Sequence, residues 1–266
     1  MTFRNQIAGL VRFSYPARSG FAEKSDDMQA LAARLYAPER LEQRFHLFER
    51  LTLPSLLAQS DPDFTLIVLT GQGFPARDRL ERALAPLPQA QIVTLPPMYH
   101  YPATQAAFDQ ALDPDAGHLT SFRLDDDDAV DRDLVARLRI TVEGLARMRD
   151  MSEPVAIGWN RGMFLDLDRG NNRVYEVVEK LPLGIGLALC APASTRTNIF
   201  ARNHRLLPQF FDCWTDAQTP AFIRTVHAGN DSAAHVSGRI TGRPSTELEA
   251  LLERHFPFTM AELLSL

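Results

Sequence analysis

Cysteine is scarce in this chain. Its 266 residues hold two, Cys190 and Cys213, too few for a disulfide framework or an all-cysteine zinc site. That scarcity points to a reducing, cytoplasmic compartment. Positive charge is not in excess either. The 28 Lys and Arg against 33 Asp and Glu leave a formal charge of −5, and the pI is near 5.8. A nucleic-acid binder normally shows a basic stripe, so no nucleic-acid partner is expected. No apolar run reaches the ~20 residues that cross a bilayer. The longest, Leu181 to Ala193, is broken by Pro182, Gly184, Gly186 and Pro192. The opening stretch MTFRNQIAGLVRFSYP has Arg12 where a signal peptide would stay apolar, so it reads as mature sequence. The expectation is a cytosolic protein with no integral membrane segment, able to work beside a membrane but not in it. Internal repeats and low-complexity tracts are missing. So are the GxSxG elbow, the Walker A loop and HExxH, which removes the serine hydrolases, P-loop proteins and zincins.

What is present is an ordinary globular composition, 45% hydrophobic and 23% charged, in which short apolar runs alternate with helical patterns. Ile7 to Phe13, Phe64 to Thr70, Gln91 to Leu95 and His118 to Leu124 read as strands. Phe64 to Thr70 (FTLIVLT) is apolar throughout, as a strand covered on both faces should be. Glu39 to Gln59, Arg77 to Leu84, Ala103 to Leu112 and Leu134 to Met148 carry helical spacing, with Pro54 opening a second turn inside the first. This rhythm predicts an α/β fold with a mostly parallel sheet. After Leu134 to Met148 the pattern changes. Val155 to Trp159, Gly162 to Leu167 and Arg173 to Val178 are short β-like runs, with the turn residues DRGNN before the last. A strand over Ile185 to Cys190 follows, then mostly helix and loop, with a helix near Glu247 to His255. The expected organisation is a nucleotide-type α/β half over 1–150 and a smaller, acceptor-side half over 151–266, packed as one continuous domain.

The most informative residues are Asp125, Asp126, Asp127 and Asp128, directly after the strand ending in FRL. Ligands of open α/β sheets bind outside the carboxyl ends of strands, where this run falls. Strand periodicity puts Asp125 and Asp127 on one side and Asp126 and Asp128 on the other. Four adjacent carboxylates repel one another, and a divalent ion such as Mg²⁺ or Mn²⁺ would relieve that. Helix capping is the competing use, and Asp131 with Asp133 is expected to cap the following helix. A calcium loop fails in both registers, because glycine and glutamate are missing at the required positions.

SFRLDDDDAV resembles the strand-end DxD element of GT-A glycosyltransferases. More narrowly, the chain resembles a bacterial rhamnosyltransferase family, through RFSY at Arg12 to Tyr15, TLPSLLAQSDPDFTLIVLT at Thr52 to Thr70 and VHAGNDS at Val226 to Ser232. The resemblance implies a GT-A-like, Rossmann-like nucleotide-binding sheet and transfer of a sugar from a nucleotide-sugar donor to a saccharide or glycolipid hydroxyl. It implies that the strand-end aspartates (Asp125, Asp127 and Asp128) meet metal, diphosphate and ribose. Taking the cluster residue by residue, Asp125 and Asp126 are assigned to the donor, Asp127 and Asp128 to the metal. One position departs from the fold's pattern: an Asp often holds the base at the end of the second strand, and here the chain reads Leu69-Thr70-Gly71-Gln72.

Around this core the candidates are ranked by chemistry. His227 is the best candidate for a third metal ligand, because the GT-A resemblance implies a histidine from the C-terminal part and neutral imidazole suits Mn²⁺; a loop histidine bonded to backbone is the competing reading. Asn230 and Ser232 are candidates for phosphate or sugar hydroxyls, and Arg12 and Arg123 for the diphosphate. Trp159 and Arg161 are candidates for the acceptor cleft, since an indole face stacks on sugars. Asp231 is the first choice for the base that deprotonates the acceptor, with Asp166, Asp168, Glu176 and Glu179 as rivals. His204 and Arg205 read as surface. Three other functions compete, one of them a metal phosphohydrolase using the aspartates directly, which would want more His or Asp ligands close by than the scattered histidines offer. Gly71-Gln72-Gly73-Phe74-Pro75-Ala76 matches the dinucleotide pattern GxGxxA of an NAD(P)-dependent oxidoreductase, but the next strand ends in Pro96-Pro97 without the expected acid. A non-catalytic saccharide-binding or scaffold protein is the third.

Overall fold

The computed structural model describes residues 3–19, 27–168, 170–230 and 235–266. The apolar runs form four strands, β1 (Asn5–Arg12), β2 (Thr65–Gly71), β3 (Ala90–Leu95) and β4 (His118–Asp125). They pair in parallel in the order β3-β2-β1-β4. Both faces of these strands are covered, which is why the runs are continuous rather than alternating. Ile7, Val11, Leu66 and Val68 face one buried cluster, and Ala8, Leu10, Ile67 and Leu69 face another, the period-2 division of a pleated strand. Gly9 is required where β1 meets β4, because a Cβ there would run into the ring of Phe122.

The first cluster is closed by α2 (Pro38–Leu47), α3 (Leu53–Leu57), α4 (Arg77–Leu84) and α6 (Leu134–Met148); α5 (His100–Ala111) closes the second, and α1 (Met28–Leu35) precedes α2. Between α2 and α3 the helix widens over Phe48–Thr52, where Leu53 N–H reaches back to Phe48 O. Pro54 has no N–H to continue the ordinary ladder, so the wide turn absorbs the break without ending the helical path.

The second half adds β5 (Ala129–Val130), β6 (Val155–Asp166), β7 (Arg173–Val178), β8 (Ala188–Pro192), β9 (Asp212–Val226), β10 (Arg239–Ile240), α7 (Ser245–His255) and α8 (Met260–Leu264). β8 pairs antiparallel with β4 and with β6, so the sheet runs unbroken from the first half into the second. Three expectations are corrected here. The runs Val155 to Trp159 and Gly162 to Leu167 are one strand, since Asn160 and Arg161 stay in the ladder instead of turning. The strand expected at Ile185 begins at Ala188. The region expected as helix and loop contains β9, which runs parallel to β6 with register shifts between Trp159 and Met163. α7 and α8 pack on the outer face of β6 and β9 through Leu248, Leu252, Phe256 and Leu263. No helix among the described residues is long and apolar enough to cross a membrane.

Candidate active site

β1 sits at the point where the sheet grows in opposite directions, with β2 on one side and β4 on the other. The crevice beyond the carboxyl ends at such a point is the usual ligand site of an open α/β sheet. Arg12 and Asp125, the last residues of β1 and β4, are register partners there. A cavity of about 540 Å³ opens on this edge, and all four aspartates line it.

The strand ends at Asp125 and the chain turns at once, with Asp128 N–H donating to Asp125 O at 3.3 Å. Strand alternation stops with the strand, so the expected two-sided division of the carboxylates does not hold. Asp126, Asp127 and Asp128 are each 4% exposed, whereas the Asp125 side chain is 40% exposed. The β5–β9 pair pins the far end of the turn, and Asp128 Oδ1 accepts from Thr225 N–H at 2.9 Å.

Buried carboxylates require compensation, and it comes from a residue the sequence reading passed over. Arg44, on the buried face of α2, donates through Nη1 to Asp126 Oδ1 at 2.8 Å and to Asp127 Oδ2 at 2.7 Å. Its Nη2 donates to Gly229 O at 3.2 Å. The same Asp127 oxygen lies 3.1 Å from His227 Nε2 and accepts from Asn230 Nδ2 at 3.3 Å. Burial pushes the Asp127 carboxyl up, but the hydrogen bond to His227 and the charge of Arg44 outweigh it and hold the group below its ordinary range. For Asp128 burial wins, reinforced by the charges of Asp127 and Asp125, and its carboxyl is pushed well above the ordinary range.

The oxygens of Asp126 and Asp127 that turn to Arg44 are not open to Mn²⁺ or Mg²⁺. The inner oxygen of Asp127 already takes three partners, Asp126 is paired with the same guanidinium, and Asp128 is turned to the backbone of β9. Among the described residues no three His, Cys, Asp or Glu side chains are grouped to hold a metal ion.

Asp125, the accessible carboxylate, has Arg12 Nη2 and Arg123 Nη2 each at 3.9 Å. Burial is the largest influence on the Arg123 guanidinium and pulls its pKa down. Its Nε is buried without a hydrogen-bond partner among the described residues, and Phe200 lies beneath it at 5.3 Å. A Cβ on Gly184 would stand 2.9 Å from this guanidinium, so a residue without a side chain is what lets Arg123 lie where it does.

Arg12, Arg123, the four aspartates and Asn230 therefore meet on one cavity, with His227 bonded to the cluster from behind. Asp231 and Ser232 lie outside the described residues. The acceptor candidates are elsewhere. Trp159 is 2% exposed, edge-on to Trp214 at 6.3 Å, with Arg137 5.5 Å from its ring. It is a core residue, because β6 is flanked on both edges and covered on both faces, and it offers no open ring to a sugar. Arg161 is tied to Glu176 and to Gln218 O. Glu176 is buried among Arg161, Arg243 and Thr241; burial raises its pKa, but these partners together hold it below the ordinary range, which makes it a structural carboxylate. Glu179 accepts from Ser237 Oγ.

Three further expectations change. Asp133 makes no capping bond to α6; its carboxylate accepts from Ser60, while Asp131 pairs with Arg137. His204 lines the cavity, with its pKa lowered to about 4 by burial and then by Arg123 and Arg205. The glycine pattern at Gly71 is not an open cradle: Tyr36 Oη and Pro16 fill the space where a Cβ, or a pyrophosphate, would come. Residues the sequence reading missed are Arg40, Arg44, Arg202, Arg224 and His100. Arg44 carried a signal, since it falls on the apolar stripe Leu41, Phe45, Phe48, where a charge is out of place unless paired.

A model of the family described as "Putative rhamnosyl transferase" matches residues 6–239. No curated protein matches the chain. Among solved structures, S. aureus TarS 1–349 in complex with UDP-GlcNAc is similar at 11% identity over 87% of this chain, with a TM-score of 0.49. The UDP complex of the same protein is similar at 9% identity over 83% of this chain and 60% of its own, with a TM-score of 0.45. A 4-diphosphocytidyl-2C-methyl-D-erythritol synthase from Anaerococcus prevotii is similar at 10% identity over 85% of this chain and 89% of its own, with a TM-score of 0.34. The chain spans 62% of the length of the TarS structure solved with UDP-GlcNAc.

Proposed function

The chain belongs to the rhamnosyl transferase family, and from that premise we propose that it is a GT-A-like glycosyltransferase. It moves a sugar, rhamnose by the family's description, from a nucleotide-sugar donor to a hydroxyl of a saccharide or glycolipid acceptor. The observation that carries this reading is the cavity at the carboxyl ends of β1 and β4, where an exposed carboxylate and several guanidiniums face one space. A nucleotide-sugar presents ribose hydroxyls that a carboxylate can accept from, and a diphosphate that guanidiniums can hold bidentately. In transfer, the acceptor oxygen bonds to the anomeric carbon, the bond from that carbon to the phosphate oxygen breaks, and the acceptor proton passes to a base. Arg12 and Arg123 would stabilise the negative charge that grows on the departing diphosphate, and they are held in place before the reaction begins. Asp231 remains the proposed base, and its chain neighbour Asn230 lines the cavity. The two unpaired cysteines are in keeping with a cytoplasmic site of action.

The test is a thermal-shift screen of nucleoside diphosphates and their sugar conjugates, followed by mass detection of the transferred sugar. A ligand at ~100 times its dissociation constant adds about 2.7 kcal/mol, which for a chain of this size raises Tm by roughly 5 °C or more. A shift with NAD(H) alone would replace the reading with an oxidoreductase. Nucleotide binding without hydrolysis or transfer in any acceptor mixture would reduce it to a non-catalytic binder.

A further inference from the structure

We propose that the guanidinium of Arg44 occupies the cation position of the strand-end carboxylates, and that arginines of the cavity wall neutralise the donor diphosphate, so that donor binding requires no divalent ion. This rests on the glycosyltransferase reading and names the charge carrier within it.

Arg44 does structurally what a bridging ion would do. It binds Asp126 and Asp127 at 2.8 and 2.7 Å and ties both to the 227–230 segment through Gly229 O. Arg44 and Asp127 are 5% and 6% exposed at the side chain, so the pair is formed away from solvent. A cation bridging Asp126 and Asp127 through these oxygens would have to displace a buried guanidinium that also holds the backbone.

Charge for the diphosphate is available without it. Six arginines and four aspartates line the cavity, so positive charge is in excess there whether or not Asp128, whose carboxyl is pushed up, is ionised. A diphosphate diester carries a negative charge on each phosphate, which that excess can meet. Arg123 lines the same cavity, and its Nε has no hydrogen-bond partner among the described residues. Arg224 reaches the same space from β9 and Arg202 from the opposite rim. The composition points the same way: of the chain's 28 basic residues only Lys24 and Lys180 are lysines. A guanidinium is permanently charged and meets phosphate in a planar fork, which is the geometry for holding a diphosphate without a metal.

The experiment is isothermal titration of the full chain with UDP, dTDP, GDP and ADP, each in EDTA and in Mn²⁺. The expected result is that at least one binds in EDTA with an affinity within about twofold of that in Mn²⁺, and weakens steeply with added salt. A nucleotide that binds only with Mn²⁺ would overturn this inference and leave the glycosyltransferase reading standing. No binding of any of the four in either condition would overturn both. In Arg44→Gln, checked for folding by circular dichroism, binding in EDTA should fall at least tenfold and be restored in part by Mn²⁺. Unchanged binding in that variant would remove Arg44 from the account. If the variant does not fold, the wild-type comparison decides alone.

Discussion

Replacing Arg44 with methionine removes the charge while keeping most of the side-chain volume, and it tests whether the aspartate turn is held by ionic compensation. Asp126 and Asp127 are each 4% exposed, and both accept from Arg44 Nη1. Without it, each carboxylate would lose a buried charge-assisted hydrogen bond in a site that water hardly reaches. Breaking a buried pair by removing one partner costs about 3–5 kcal/mol, because the other charge is stranded. The loss should depend on pH in a definite direction. Asp127 is held below its ordinary pKa in the intact protein, so its contribution is present at neutral pH and is lost as pH falls through that lowered value. In the variant the carboxyls would titrate upward instead, and proton uptake would relieve the repulsion. The variant should therefore lose about 3–5 kcal/mol at pH 7 in urea unfolding, and the gap from wild type should narrow toward pH 4. A loss under 1 kcal/mol at pH 7, or an equal loss at both pH values, would refute the argument that charge compensation is what Arg44 contributes.

Gly184→Ala should leave Tm within about 2 °C of wild type but weaken nucleoside-diphosphate binding several-fold, since the new Cβ would stand 2.9 Å from the guanidinium of Arg123 and push it from its place; titration calorimetry reads this directly. Trp159→Ala should behave in the opposite way, costing about 3–5 kcal/mol of stability with unchanged nucleotide affinity in the folded fraction, because Trp159 is core and not cleft. His100 and His204 have pKa values lowered to about 3 and about 4, by burial first and neighbouring arginines second. The unfolded chain therefore takes up protons below pH 6.5 that the folded chain does not, and stability falls with pH. At pH 5 the pair should cost about 2 kcal/mol after allowance for water in the cavity, and the double variant His100→Gln, His204→Gln should flatten the wild-type slope between pH 7 and pH 5 in urea unfolding.

The parallel half of the fold was legible because its signals are local. FTLIVLT can only be buried on both faces, and LVARLRITVEGLARM keeps helical spacing without interruption, so β2 and α6 fall where the runs fall. β9 was not legible. Its first eight residues, DCWTDAQT, are largely polar, and they lie along β6 with those side chains turned to solvent. A strand exposed in this way carries no apolar alternation to detect. Asn160 and Arg161 misled in the converse sense: they look like a break between two strands, yet Arg161 stays in the ladder because Glu176 waits across the β6–β7 pair.

The site divides along the same line. The aspartates announced themselves as a contiguous run after a strand, and their place at the β1–β4 edge follows from strand order alone. What neutralises them could not be read from their neighbours in sequence, because Arg44 lies 82 residues before Asp126. Four carboxylates next to one another pose a charge problem that a metal ion and a buried arginine answer equally well on paper. Only the fold brings α2 across the carboxyl end of β4 and sets Arg44 against Asp126 and Asp127. A charged residue on the apolar stripe of a helix and an acid run at a strand end are each ambiguous alone. Taken together in one sequence they are complementary, since each leaves a buried charge of opposite sign that the other can satisfy.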